Sequence, residues 1–272
     1  MRSLGEGIVR AELMRIATWN VNSLKARMPR VIDWVSRFSP SILCLQETKM
    51  AADAFPHSDF KEMGYESAHN GEGRWNGVAI LSKVGLDDIY HGFDDGKPDD
   101  PDARIIWATC NGVRIASAYI PNGREIGHDH YHYKLDWLAR LRSHLELNHD
   151  PKENLALLGD FNVAPEDRDV WDIAAFEGAT HVSKPERDAY FKVLEWGLVD
   201  SLRAQYPNED GIYSFWDYRQ GSFYKKMGMR IDFILPTRSM NGNMETIVID
   251  RNARKGEKPS DHAPVVADFS SI

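Results

Sequence analysis

Short apolar runs of strand length recur along the chain, and many of them end in a carboxylate or an amide. They are Arg15-Trp19, Ile42-Gln46, Gly77-Leu81, Ile105-Cys110, Val113-Tyr119, Leu155-Leu158, Ile231-Leu235, Glu245-Ile249 and Pro264-Phe269. Runs this short, rich in branched and aromatic side chains and bounded by polar residues, predict strands. Between them lie patterns of helical period. Leu24, Met28, Val31, Ile32, Val35 and Phe38 make one apolar stripe, and Tyr131, Leu135, Leu138, Leu141 and Leu145 make another. Ser183-Lys184-Pro185-Glu186 reads as a capping box opening a helix that runs to Trp196. Asn111-Gly112 between two runs predicts a hairpin, so the pairing is antiparallel in part. Two mixed β-sheets packed face to face with helices outside, a four-layered α/β sandwich, would cover all these faces. Residues 14–272 are expected to form one domain, and residues 1–13 read as an N-terminal extension, because a strand begins directly after them. The stretches 92–103 and 239–243 read as polar loops.

Composition narrows the class. Hydrophobic residues make up 42% and charged residues 27%, the balance of a soluble globular protein. No apolar run approaches the ~18 residues a membrane span needs. Two cysteines, Cys44 and Cys110, make a disulfide framework improbable and suit a reducing cytoplasm. The net charge of −8 speaks mildly against a nucleic-acid partner. Its distribution is uneven, however. Residues 219–230 carry Arg219, Lys225, Lys226 and Arg230 with no acid, and residues 251–258 carry four cations against Glu257. Charge by itself leaves the question open.

The strand ends are more informative. Asn20, Glu47, Tyr119 and Asp160 with Asn162 follow apolar runs, Asp232 sits within the run Ile231-Leu235, and Asp261 with His262 immediately precedes Pro264-Phe269. A single polar strand end is usually a turn or a cap. Six in one chain favour convergence, since a buried carboxylate must be compensated by a cation, hydrogen bonds or a metal. The donor set is rich in oxygen, which suits magnesium; zinc would ask for clustered Cys or His, and the chain has no CxxC and no HExxH. Alternate histidines at His128, His130 and His132 do not share a helix face and read as a solvated helix entry.

Seven segments stand in a recognisable order: ATWNVNSLKAR (17–27), LCLQETK (43–49), YIPNG (119–123), LLGDFNVAP (157–165), YSFWDYR (213–219), MRIDFIL (229–235) and EKPSDHAPV (257–265). Together they resemble the exonuclease III branch of the endonuclease/exonuclease/phosphatase superfamily, which contains abasic-site endonucleases, over nearly the whole chain. The resemblance implies a metal site at Glu47, Asn20 and Asp261, shared with Asp160 and Asn162, for Mg²⁺ with Mn²⁺ as a substitute. It implies Asp160 as the general base and Asn162 holding the attacking water or the developing charge. His262, oriented by Asp232, would contact a non-bridging oxygen, and Tyr119 would lie against the scissile phosphate. Other superfamily branches place a histidine where Tyr119 stands, which favours the abasic-site branch. Asn22 stands where some relatives carry an aspartate, so a second metal position is in doubt.

The same resemblance makes Phe215, Met229 and Ile231 the lining of a pocket for a sugar without a base, with Trp216 beside them. It makes Arg27, Asn122, Arg124, Lys225, Lys226 and Arg230 contacts to backbone phosphates, which orient a duplex without reading its sequence. The implied partner is duplex DNA carrying abasic sites or blocked 3′ ends. The implied enzyme is a monomer in the cytoplasm, at the nucleoid of a bacterium, that incises 5′ to the lesion and trims 3′ ends. Two alternatives stay open: a superfamily enzyme acting on RNA or small phosphate esters, and a DNA-binding relative without catalysis.

Overall fold

All the apolar runs named above form strands in the computed structural model, which describes residues 13–270. Most of the expected N-terminal extension therefore lies outside the described residues. In chain order the elements are β1 (Met14–Asn20), α1 (Leu24–Phe38), β2 (Ile42–Gln46), α2 (His57–Glu62), β3 (Glu66–Asn70), β4 (Val78–Ser82) and β5 (Asp87–His91). There follow β6 (Ile105–Cys110), β7 (Val113–Tyr119), α3 (Asp129–Asn148), β8 (Leu155–Asp160), α4 (Lys184–Glu195) and α5 (Ser201–Gln205). The chain closes with β9 (Asp232–Pro236), α6 (Arg238–Asn241), β10 (Met244–Ile249) and β11 (Val265–Phe269).

Two mixed sheets result. One has the order β10-β11-β1-β2-β4-β3, parallel only between β1 and β2; the other has the order β5-β6-β7-β8-β9, parallel only between β7 and β8. Alternation along each strand sends one set of side chains between the sheets and the other outward. Ile16, Ile42 and Ile80 meet Ile106, Ile115 and Leu158 in the inter-sheet core. The outer face of the first sheet, with Trp19, Leu43 and Leu81, packs on Leu24, Val31 and Trp34 of α1. The outer face of the second, with Trp107, Leu157 and Phe233, packs on Trp137 and Leu141 of α3 and Val193 of α4. Burying each such aliphatic or aromatic side chain is worth ~1.5–3 kcal/mol, so four layers are the arrangement that leaves no sheet face wet.

Local signals act as anticipated at several boundaries. Asn111 and Gly112 both take positive φ, 48° and 77°, and turn β6 into β7. Ser183 and Glu186 cap α4 reciprocally, with proline in its first turn. His128 caps α3 by accepting from the His130 backbone N–H. Two strands escape the sequence pattern. β3 (ESAHN) and β5 (DDIYH) are edge strands, and every residue of β5 is exposed, so neither carries an apolar alternation. The segment expected to be a polar loop at 239–243 is instead occupied largely by α6, one short turn of helix that buries Met240.

Candidate active site

The inter-sheet face changes character along the strands. Ile16, Ile42, Ile115 and Ala156 are apolar and buried. Two residues further along β1 and β7, Thr18 and Ser117 bracket Gln46 of β2: Thr18 Oγ1 donates to Gln46 Oε1 (3.1 Å) and Gln46 Nε2 donates to Ser117 Oγ (3.0 Å). Two residues further again, the same face presents Asn20, Tyr119 and Asp160. Strand register places Tyr119 opposite Asp160 and Asp160 opposite Asp232, a row across three strands. Gly159 makes this approach feasible: its φ is +144° and a Cβ there would stand 1.9 Å from the Ala118 carbonyl oxygen. The parallel pairs β1–β2 and β7–β8 therefore end on one edge, where the sheets open.

The side chains meet there. Asn20 Nδ2 donates to Glu47 Oε1 and to Asp160 Oδ2, both at 2.9 Å. Its Oδ1 is taken by the Asn22 backbone N–H (2.9 Å), so Asn20 holds the carboxylates together and turns no oxygen towards them. Glu47 itself sits at φ +50°, an uncommon conformation for a non-glycine residue. Lys49 Nζ lies 2.8 Å from Glu47 Oε2 and donates to Asn22 Oδ1 (2.6 Å), while Asn22 Nδ2 donates to Asp261 Oδ1 (3.0 Å). Asp261 is thus joined to Glu47 through Lys49 and Asn22. His262 Nδ1 faces Asp232 Oδ2 at 2.8 Å, and its Nε2 lies 3.7 Å from Asp160 Oδ2. Ser214 Oγ donates to the same Asp232 oxygen (2.6 Å), and Asp232 Oδ1 is buried without a partner. Glu47, Asp160 and His262 each offer a ligand atom within 4.8 Å of the others. Two converging carboxylates, each with an oxygen directed at the same small volume, fit a hard divalent cation. Asn162 points both ends of its amide inward: Nδ2 donates to the Ile120 carbonyl (3.0 Å), and Oδ1 accepts from Asn122 Nδ2 (3.1 Å). Its backbone N–H donates to Asp160 Oδ1 (2.9 Å).

Charge follows this geometry. Burial, reinforced by the charges of Asp232 and Glu47 and opposed by His262, pushes the Asp160 carboxyl up to about 8. Burial disfavours a charged His262, but Asp232 and Asp160 more than offset it and raise the imidazole to about 10. Burial would also raise Glu47; the charge and hydrogen bond of Lys49, with the Asn20 amide, bring it below the ordinary carboxylate range. Tyr119 is raised well above its usual value by burial and by the charges of Glu47 and Asp160, so at neutral pH it is a phenol.

The residues expected to face DNA divide into two groups. Asn122, Arg124, Lys225 and Lys226 are exposed, and Phe215 is half-buried with its ring 4.9 Å from that of His262. Arg27 is half-buried and donates to the Tyr218 hydroxyl (2.7 Å) and the Pro259 carbonyl (3.3 Å). The other group is buried, which corrects the phosphate-contact expectation for Arg230. Arg230 is 1% exposed: its fork binds both oxygens of Asp169 (2.7 and 3.0 Å), and its remaining nitrogen binds Asp200 (2.7 Å), leaving nothing for a phosphate. Trp216 is also 1% exposed and packs on Phe223 and Ala263. Ile231 (2%) and Met229 (9%) lie in a cluster with Ala164 and Val170, closed over by Phe176, Val182 and Phe215. Sequence reasoning missed Lys49, though it ends the LQETK segment, and Ser214, though it stands beside Phe215. It also missed Arg104, whose guanidinium lies 5.1 Å from the Tyr119 ring centroid, because nothing in its local sequence marks that contact.

Comparison with known proteins gives the family and the fold. Residues 17–262 match the profile of the endonuclease/exonuclease/phosphatase family. An exodeoxyribonuclease III of Haemophilus influenzae is 31% identical over 94% of this chain and its own full length. The DNA repair nuclease APEX1 of Danio rerio is 32% identical over 94% of this chain and 82% of its own. Among solved structures, an AP endonuclease from Archaeoglobus fulgidus superposes with a TM-score of 0.91 at 40% identity, covering 95% of this chain and all of that one. The 3′ phosphatase NExo from Neisseria, bound to a product DNA hairpin, superposes with a TM-score of 0.90 at 39% identity and the same coverage. No helix among the described residues is long and apolar enough to cross a membrane. Fold, ordered motifs and similarity over nearly the whole length place this chain in the endonuclease/exonuclease/phosphatase family, alongside exodeoxyribonuclease III and the AP endonucleases.

Proposed function

We propose that this chain is a DNA repair nuclease: a metal-dependent phosphodiesterase that hydrolyses the bond 5′ to an abasic site in duplex DNA and also processes 3′ ends. The observation that carries the reading is the convergence of Glu47, Asp160, Asp232 and His262 at one sheet edge, with buried carboxylates in excess of cations. Glu47, with Asp160 beside it and Asp261 behind Lys49 and Asn22, would hold the divalent ion, magnesium or manganese in its place. Bound there, the ion supplies a Lewis acid for a phosphate oxygen. Asp160, in its ionised form, takes the proton of the attacking water; the charge of His262 beside it favours that form. His262, charged and fixed by Asp232 and Ser214, donates to a non-bridging oxygen as negative charge develops there. Tyr119 donates from its neutral hydroxyl on the other side. Arg124, Asn122, Lys225, Lys226 and, after releasing Tyr218, Arg27 meet the duplex backbone. The enzyme acts as a monomer, in the cytoplasm at the nucleoid.

The burial of Met229 and Ile231 favours a second reading, in which 3′ termini are the principal substrates. A bare sugar swung out of a duplex needs a lined cavity, whereas a 3′ end reaches the centre without one. One experiment addresses both readings: end-labelled duplexes carrying an abasic analogue or a 3′-phosphate, each with Mg²⁺ or a chelator. Incision 5′ to the lesion with Mg²⁺ alone supports the first reading, and 3′-phosphate release without incision supports the second. Turnover of small phosphate esters only would remove DNA repair from the account.

A further inference from the structure

Lys134 of α3 is fully buried, some distance along the chain from every motif, and directed at the back of the candidate active site. Its ammonium donates to the Asn162 carbonyl (2.5 Å), to the Asn122 carbonyl (3.3 Å) and to Glu186 Oε1 (2.5 Å). Glu186, equally buried on α4, accepts in turn from Thr180 Oγ1 (2.6 Å), the His181 backbone N–H (2.9 Å) and Ser183 Oγ (2.6 Å). A buried ammonium must satisfy all three of its N–H donors, and two of these go to loop carbonyls rather than to a helix. Both carbonyls belong to loops that leave the strand ends bearing Tyr119 and Asp160. Asn162 stands at φ +51°, where its backbone N–H reaches Asp160 Oδ1 and its side-chain Oδ1 meets Asn122 Nδ2. Asparagine takes this conformation more readily than other non-glycine residues, and the ammonium on its carbonyl ties it to α3.

We propose that Lys134 and Glu186 are positioning residues for phosphodiester hydrolysis: the buried pair fixes the Asn162 and Asn122 loops together, and so sets the reach of both amides and the orientation of Asp160. The inference rests on the nuclease reading given above. Neither residue touches substrate; each acts through Asn162.

The test is a cycle of four proteins on labelled duplex DNA with Mg²⁺: wild type, Lys134→Gln/Glu186→Gln, Asn162→Ala and the combination. The neutral pair avoids stranding one buried charge, and each protein's melting temperature is recorded so that kinetics are taken on folded enzyme. The double replacement should lower kcat by about tenfold or more at unchanged KM. In the Asn162→Ala background it should lower kcat by less than about twofold, because its target is already gone. Wild-type kcat in the folded double variant would overturn the proposal, and so would losses that multiply in full across the cycle or a change confined to KM. If the double variant fails to fold, Lys134→Met with Glu186→Gln, which likewise leaves no buried charge, asks the same question: a lowered kcat at fixed KM supports the proposal and wild-type kinetics refute it. Wild-type protein inactive on every DNA substrate would instead strike at the nuclease reading itself.

Discussion

Two buried acidic regions of this protein treat carboxylates in opposite ways. Around Asp169, the Arg230 and Arg203 guanidiniums bind both carboxylate oxygens, and Arg230 also closes on Asp200. Burial would raise Asp169, but these cations prevail and hold it below the ordinary carboxylate range. Around Asp160 no guanidinium closes on the carboxylate among the described residues; His262, itself shared with Asp232, faces it at 3.7 Å, and the Asp160 carboxyl rises to about 8. One cluster is complete and serves the fold. The other holds more carboxylates than cations, which leaves a place for an ion. The difference separates a buried ion network from a reaction centre more sharply than residue type does, since aspartates build both.

The largest expected effect comes from Asp160→Asn. It should lower kcat for DNA cleavage by about 10³-fold or more, while the melting temperature holds or rises as a crowded carboxylate is lost. Unimpaired cleavage would take Asp160 out of the base role. The matching change in the complete cluster, Arg230→Met, should do the reverse. It leaves Asp169 and Asp200 facing each other and should cost about 3–5 kcal/mol of stability in urea unfolding, with kcat of the remaining folded enzyme within about twofold of wild type.

How much of this contrast the sequence carries depends on the residue. Asp160, Asp232, Glu47 and His262 were legible because Asp160 and Glu47 follow apolar runs, Asp232 interrupts one and His262 precedes one; the two sheets then bring them together. Arg230 was misread because its neighbours Lys225 and Lys226 are cations on the surface, while the next positions enter the core through β9. A one-dimensional charge count cannot see that boundary. Lys134 was invisible for a related reason: a lysine on an amphipathic helix is normally solvated, and only the packing of α3 on α4 shows that this one is enclosed. β5 escaped because an exposed edge strand has no apolar face to announce it.

The two clusters should also answer pH with opposite sign. Asp160 keeps a proton in the folded state that an unfolded chain releases near pH 4, so its contribution to stability falls as pH rises from about 4 through about 8. His262, raised from 6.5 to about 10, contributes stability that is complete below pH 6.5 and lost as pH climbs through about 10. Asp169, being depressed, contributes stability that is present above the ordinary carboxylate range and lost on acidification. Because a bound cation competes with the Asp160 proton, the gain in melting temperature given by Mg²⁺ should be larger at pH 9 than at pH 6. Its apparent affinity should rise by up to about tenfold per pH unit below 8. A gain independent of pH would contradict the shared site.

The smallest effect lies at the surface. Lys225→Gln with Lys226→Gln should weaken duplex binding a few-fold, and should lower the slope of log K against log salt by about 1 to 2. An unchanged slope would leave both lysines as ordinary solvated side chains.

The central claim is that the charge deficit around Glu47 and Asp160 is a divalent-cation site. Anomalous diffraction from crystals soaked in Mn²⁺ tests it most directly. The account predicts a peak about 2.0–2.3 Å from a Glu47 carboxylate oxygen, on the side facing Asp160, and its disappearance in Glu47→Gln. A fully occupied manganese elsewhere with none beside Glu47 would contradict it.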